Sequence, residues 1–168
     1  TGTNTFDGLW AAGLNESVEA IADRGFNLIR VPISTELIKN WSQGKYPAAN
    51  YNESINEYLK GKNSLEIFDY FLNECEKNGV KVMLDIHSAK TDPMGHIKNV
   101  WYEGDITEED YYNALKYMAK RYCQNDTLIA FDLKNEPHGK ANETPRAIWN
   151  NSKDKNNWRA VAEKAALC

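Results

Sequence analysis

The chain has 168 residues, of which 42% are hydrophobic and 26% are charged, and its net charge is −4. These values suit one soluble globular domain that buries a sizeable core. They argue against a nucleic-acid partner, because no basic stripe or RNP-like aromatic run is present. Apolar runs are only as long as a strand, so no segment is predicted to span a membrane.

Helical and strand patterns alternate along the chain. Residues 15–24 have apolar side chains at helical spacing and are followed by Gly25, a common helix stop. Residues 26–31 are apolar except at isolated positions, which predicts a buried parallel strand. The remaining predicted elements are a helix capped by Ser64, a strand at 80–86, a helix begun by a capping box from Thr107 to Asp110, a strand at 128–133 and a helix from about Asn157.

This alternation predicts an α/β fold with a parallel sheet. Joints from strand to helix are long, which is typical of the active-site face of a (β/α)₈ barrel. A doubly wound sheet usually has a glycine-rich phosphate loop, and none follows these strands. A complete barrel needs about 250 residues, so we expect a partial (β/α)₈ TIM barrel. Its long joints are predicted at residues 32–63, 87–106 and 135–156.

Asn135 and Glu136 follow the last predicted strand, which Pro137 ends. A carboxylate in the low-dielectric mouth of a barrel suits a general acid, and the Asn135 amide can donate to a sugar hydroxyl. The alternative is a turn in which Glu136 is merely solvated. Asn-Glu-Pro alone does not decide between these interpretations.

Two other polar residues lie in or after apolar strands. His87 follows the second strand, where it either hydrogen-bonds a substrate hydroxyl or orients a carboxylate, or is an ordinary structural histidine. Arg30 lies inside the apolar first strand, and a buried arginine must be paired, so it either anchors a carboxylate at the site or forms an ordinary buried ion pair. Asp85 and Asp132 are predicted to be partners of such groups.

Several aromatic residues are predicted on loops at the same end of the sheet. Flat aromatic rings pack well against the C–H faces of sugars. For any one of them a core role is the simpler interpretation, but they recur on three loops. These residues are Trp10, Trp41, Trp101 and Tyr102.

The motifs together resemble glycoside hydrolase family 5, and are most similar to its bacterial endoglucanase-type cellulases. In chain order they are Arg30-Val31-Pro32, Asp85-Ile86-His87-Ser88, Trp101-Tyr102, and the run from Asp132 to Gly139. The resemblance also includes the last helix, around Trp158-Arg159, and covers essentially the whole chain.

This resemblance implies that the readable strands are the second to fourth of the barrel. It implies that Glu136 is the acid/base, that Asn135 contacts the substrate 2-hydroxyl, and that Arg30 and His87 hold carboxylates and substrate. His138 would lie beside the site. The family's nucleophile, a glutamate that ends the seventh strand, is not in this chain.

We therefore expect residues 1–168 to be an incomplete catalytic domain, the N-terminal half-barrel of a retaining endo-β-1,4-glucanase, inactive alone. No cofactor or metal is expected, and the substrate would be a β-1,4-glucan. Secretion is inferred only from that polymeric substrate. The alternatives are a non-catalytic carbohydrate-binding or assembly piece, which would self-associate or pair with a second half-barrel, and a mannanase or xyloglucanase on the same scaffold.

Overall fold

The computed structural model describes residues 8–91 and 98–168. Three strands, β1 (Leu28–Ser34), β2 (Lys81–Ser88) and β3 (Leu128–Asp132), form a parallel sheet in that order. The helices in the described ranges are α1 (Leu14–Asp23), α2 (Thr35–Ser42), α3 (Ser64–Lys77), α4 (Glu108–Arg121) and α5 (Trp158–Ala165), with a short 3₁₀ turn at Glu57–Leu59. None of these helices is long and apolar enough to cross a bilayer. The predicted alternation of helices and parallel strands is confirmed.

Capping boxes set the starts of α3 and α4. At α4 the Thr107 hydroxyl accepts from the backbone N–H of Asp110, and the Asp110 carboxylate accepts from the backbone N–H of Thr107, as predicted. At α3 the prediction of Ser64 as the cap is wrong. The cap is Asn63, whose side-chain oxygen accepts from the Glu66 N–H at 3.0 Å and whose backbone N–H donates to Glu66 Oε2 at 2.7 Å. Asparagine and serine cap about equally well, so their order along the chain could not separate them.

Residues 32–63 are not the continuous loop that was predicted. Pro32 continues β1, which is an edge strand of the described sheet and therefore tolerates the missing N–H. Ser34 then caps α2. Trp41 lies on α2, is buried, and donates its indole N–H to Ser64 at 2.9 Å. The prediction that Trp41 lies on a loop at the site is therefore wrong.

The two faces of the sheet differ in what covers them. Side chains alternate between faces along each strand, and one face packs against the helices. The opposite face is more open, with Leu28 44% exposed, and Ile129 is 57% exposed on the edge strand β3. The prediction of buried strands therefore holds for one face only. Core residues of the covered face include Val31, Ile33, Val82, Leu84 and Ile86 from the strands and Phe68, Leu72, Tyr111 and Leu115 from the helices.

Candidate active site

The carboxyl ends of the three strands bring polar side chains to one edge of the open face. Pro32, Asp85 and Asp132 are partners in the strand register. Residues two apart in a strand share a face, so Arg30 lies on the same face as both aspartates. His87 also lies on this face. It was predicted to follow the second strand, but it is part of β2.

Arg30 connects the ends of all three strands. Its Nε and Nη2 donate to Oδ2 of Asp132 at 3.0 and 2.8 Å, and Nη2 lies 3.1 Å from Oδ2 of Asp85. Nη2 also donates to Oδ1 of Asn135 at 2.9 Å. The predicted pairing with both aspartates is confirmed. Arg30 is not buried, however, because 41% of its side chain is exposed on the open face.

Asp85 fixes the orientation of His87. Asp85 is fully buried, and its Oδ2 lies 2.6 Å from Nδ1 of His87. An ionised carboxylate can only accept, so Nδ1 carries the proton and Nε2 is the ring atom available to a ligand. Burial raises the pKa of Asp85, against the opposing effects of the His87 hydrogen bond and the Arg30 charge. Among the described residues, Oδ1 of Asp85 has no hydrogen-bond partner.

Asn135 and Glu136 follow β3 at this same edge. Asn135 is buried, and its backbone N–H donates to the Ile86 carbonyl at 3.0 Å. Because Arg30 occupies its side-chain oxygen, Nδ2 of Asn135 is the atom left to donate to a ligand. The Glu136 side chain is exposed. The low-dielectric surroundings predicted for Glu136 are therefore not supplied by the described residues.

His138 anchors the chain just after Glu136. Its Nδ1–H donates to the Glu136 carbonyl at 2.6 Å, since a carbonyl can only accept. Its backbone N–H donates to the Asn99 carbonyl at 3.1 Å, and its carbonyl accepts from the Ala147 N–H at 2.8 Å. His138 therefore lies next to Glu136, and a contact with substrate stays a prediction.

Trp101 belongs to the core. It is fully buried, and its ring centre lies 5.1 Å from that of Trp158. Its indole N–H donates to Oε2 of Glu108 at 3.0 Å. The expectation that Trp101 offers its face to a sugar ring does not hold in this structure, because both faces of the residue are enclosed by protein.

Tyr102 and Trp10 are more accessible. Tyr102 lines an open cavity of about 560 Å³ between the loops that follow β2 and β3. Its hydroxyl donates to Oδ1 of Asn156 at 2.6 Å. Trp10 lies in the turn before α1 and is 62% exposed. A sugar contact by either residue stays a prediction.

One residue at the site and one loop tryptophan were not assigned a role from the sequence. Lys134 is 4% exposed, and its Nζ donates to the carbonyls of His87, at 3.0 Å, and Asn135. Burial lowers the pKa of Lys134 to about 8. The sequence feature that could have indicated a role for Lys134 is its position directly after an apolar strand. Trp149, which is 69% exposed on the loop after β3, has no sequence feature that separates it from other loop aromatics.

Comparison with known proteins identifies the family. The protein-family model described as Cellulase (glycosyl hydrolase family 5) matches residues 1–167. The chain belongs to glycoside hydrolase family 5. Endoglucanase B of Acetivibrio thermocellus is 44% identical over 154 residues, which are 89% of this chain and 27% of that protein. Endoglucanase G of the same organism is 40% identical over 188 residues, with coverage of 97% and 33%.

Solved structures of family 5 enzymes have the same fold. The hyperthermophilic endocellulase of Pyrococcus horikoshii matches with a TM-score of 0.85 and 31% identity, over 99% of this chain and 44% of that one. The catalytic domain of the major endoglucanase of Xanthomonas campestris matches with a TM-score of 0.84 and 29% identity, with the same coverage. The family 5 chain described here thus spans less than half the length of these relatives, and its sheet is part of a (β/α)₈ barrel, as predicted.

Proposed function

We propose that this chain carries the acid/base side of the active site of a retaining endo-β-1,4-glucanase, with Glu136 as the acid/base. The observation that supports this most directly is the position of Asn135 and Glu136. In a chain of this family, they lie at the carboxyl end of a parallel strand beside a side-chain network centred on Arg30. That is the end of the strands where barrel enzymes place their chemistry.

In the proposed reaction Glu136 acts twice. It first gives its proton to the oxygen of the leaving sugar while a second carboxylate bonds to the anomeric carbon. It then takes a proton from the water that displaces that carboxylate. Asn135 donates from Nδ2 to the sugar 2-hydroxyl, an interaction that strengthens in the transition state.

The second carboxylate comes from outside the described residues. A retaining mechanism needs the two carboxyl groups about 5–5.5 Å apart. Asp85 and Asp132 are the carboxylates closest in register to this edge, and both are held by Arg30. Asp85 is also fully buried, so it is a poor nucleophile. We expect the chain to be inactive until a second half-barrel supplies the nucleophile.

We propose a β-1,4-glucan as the substrate, with Asn135, His87, Tyr102 and Trp10 as contacts. A related structure is a complex of the Pyrococcus horikoshii endocellulase with cellotetraose, matching at a TM-score of 0.84 and 31% identity. The Xanthomonas relative is named a major extracellular endoglucanase and is 30% identical over 166 residues. Secretion of the protein that contains this chain is proposed on the same basis.

The test compares the chain alone with a chimera. In the chimera, residues 1–168 replace the matching segment of Endoglucanase B, and both proteins are assayed for reducing-sugar release from soluble β-1,4-glucan. We expect activity in the chimera only. Glu136→Gln should lower it by about 10²–10⁴-fold, whereas Glu19→Gln, an exposed change on α1, should leave it unchanged. Mannan and xyloglucan in the same panel test the other activities.

A second substrate separates the acid from other roles. Release of dinitrophenolate from its β-cellobioside needs no proton from the enzyme, because dinitrophenolate is a good leaving group. The first turnover of this substrate should therefore survive Glu136→Gln in the chimera. Unchanged glucan turnover in that variant would remove Glu136 from the mechanism. Activity of the chain alone, lost with Glu136→Gln, would mean that a second carboxylate is already present in it.

A further inference from the structure

Glu136 has an unusual backbone conformation. Its φ is +40°, and it is the one non-glycine residue in the described ranges with a positive φ. This left-handed region is unfavourable for a side chain with a Cβ, so the surrounding structure must hold it. The same conformation determines where the carboxylate points.

The peptide groups on both sides of Glu136 are held by hydrogen bonds. In the peptide group that precedes Glu136, the Asn135 carbonyl accepts from Lys134 Nζ; one peptide group earlier, the Asn135 N–H donates to the Ile86 carbonyl at 3.0 Å. On the following side, the Glu136 carbonyl accepts from His138 Nδ1–H at 2.6 Å. The donor on Lys134 is an ammonium group, and hydrogen bonds from charged donors are stronger than those from neutral ones.

Lys134 also connects two strands. Its Nζ donates to the His87 carbonyl at 3.0 Å, so one ammonium holds the end of β2 and the start of the loop after β3 together. A lysine with 4% exposure is costly to bury. An apolar side chain would fill the same space without that cost, but it could not bind either carbonyl.

We propose that Lys134 is a positioning residue for the reaction, whose ammonium holds the Asn135–Glu136 peptide in the orientation that keeps Glu136 left-handed and its carboxylate directed at the substrate. This proposal rests on the proposed function, in which Glu136 is the acid/base. Lys134 itself touches no substrate. It acts through the main chain of its neighbours.

The test uses the 168-residue chain and NMR of Glu136. The Cα chemical shift and the one-bond Cα–Hα coupling of Glu136 both depend on φ and ψ. We expect Lys134→Met to move both away from their wild-type values, and Lys134→Arg to restore them. The matched control is Lys81→Met, which removes an exposed lysine that donates to the Asp126 carbonyl at 2.8 Å. This control should leave Glu136 unchanged.

A pH titration of the wild type gives a second readout if Lys134→Met does not fold. Burial lowers the pKa of Lys134, while the charges of Asp85, Asp132 and Glu136 raise it, and the net value is about 8. The Glu136 signals should shift with the same midpoint as the Lys134 Cε signal, because the neutral amine is a weaker donor.

Two results would overturn the proposal. One is a folded Lys134→Met chain with wild-type Glu136 signals, and the other is a Glu136 Cα signal that stays constant while Lys134 titrates. Glu136→Gln keeps the backbone interactions and should retain the left-handed signals. A failure of Glu136→Gln to affect the chimera would therefore refute the proposed function, without altering the NMR result for Lys134.

Discussion

Replacing Lys134 by methionine should change how the free energy of unfolding depends on pH. Burial lowers the pKa of Lys134 from 10.5 to about 8 in the folded chain, whereas the unfolded chain keeps the ordinary lysine value. Between these two values the unfolded state binds more protons than the folded state. The contribution of Lys134 to stability therefore rises with pH through this window, and is least favourable below it.

The size of the effect follows from the two pKa values. They differ by 10.5 minus 8, or about 2.5 units, and each unit corresponds to about 1.36 kcal/mol. The wild type should therefore gain about 3 kcal/mol relative to Lys134→Met as pH rises from about 7 to about 10.5. Because only 4% of Lys134 is exposed, solvent and salt screen its electrostatic interactions little.

Urea unfolding followed by tryptophan fluorescence measures this gain. Wild type, Lys134→Met and Lys81→Met are compared across the same pH range, so that titrations common to all three cancel. The difference between wild type and Lys81→Met should stay nearly constant. If the difference between wild type and Lys134→Met is equally constant, Lys134 is not a buried cation and the reasoning fails.

Three further predictions concern the hydrogen bonds of Arg30, the cap of α3 and the exposed edge of the sheet. Arg30→Met should lower the free energy of unfolding by about 1–3 kcal/mol, since it removes charged hydrogen bonds to Asp132 and Asn135 and the cation beside the buried Asp85; urea unfolding measures this loss, and an unchanged midpoint would contradict it. Asn63→Ala should cost about 1 kcal/mol through the lost cap, whereas an equal cost for Asn73→Ala in the same assay would show that the cap is not the cause. The chain should self-associate with rising concentration in sedimentation velocity, and Ile129→Lys should weaken this because a charge on an edge strand opposes pairing. Ile55→Lys, at an exposed position outside the sheet, is the control, and a monomer at all concentrations would refute the prediction.

The arrangement of strands was predictable because apolar runs bounded by helical patterns leave few alternatives. The course of residues 32–63 was not. α2 has eight residues, too short for its spacing to stand out from a loop. Its buried Trp41 was assigned to the site for that reason, although in a longer helix its packing face would have been visible.

The site was predictable where a charge lies within an apolar strand. Arg30 requires partners there, and Asp85 and Asp132 provide them. The environment of Trp101 was not predictable, because a tryptophan on a loop can be a platform or an anchor, and Trp101 packs against Trp158, which is far from it in the sequence. The left-handed backbone of Glu136 has no sequence signature either, since it depends on how the chain leaves β3.

The bonds of Arg30 also act as a check on strand alignment during folding. A slip of β3 by one residue against β2 would turn Asp132 to the helix-covered face. Arg30 would then lose both of its bonds to that carboxylate, and Asp132 would be left buried among apolar side chains. One displacement would therefore destabilise the misaligned sheet in two ways, through the lost hydrogen bonds and through the buried carboxylate. The correct pairing is selected by charge as well as by hydrophobic pattern.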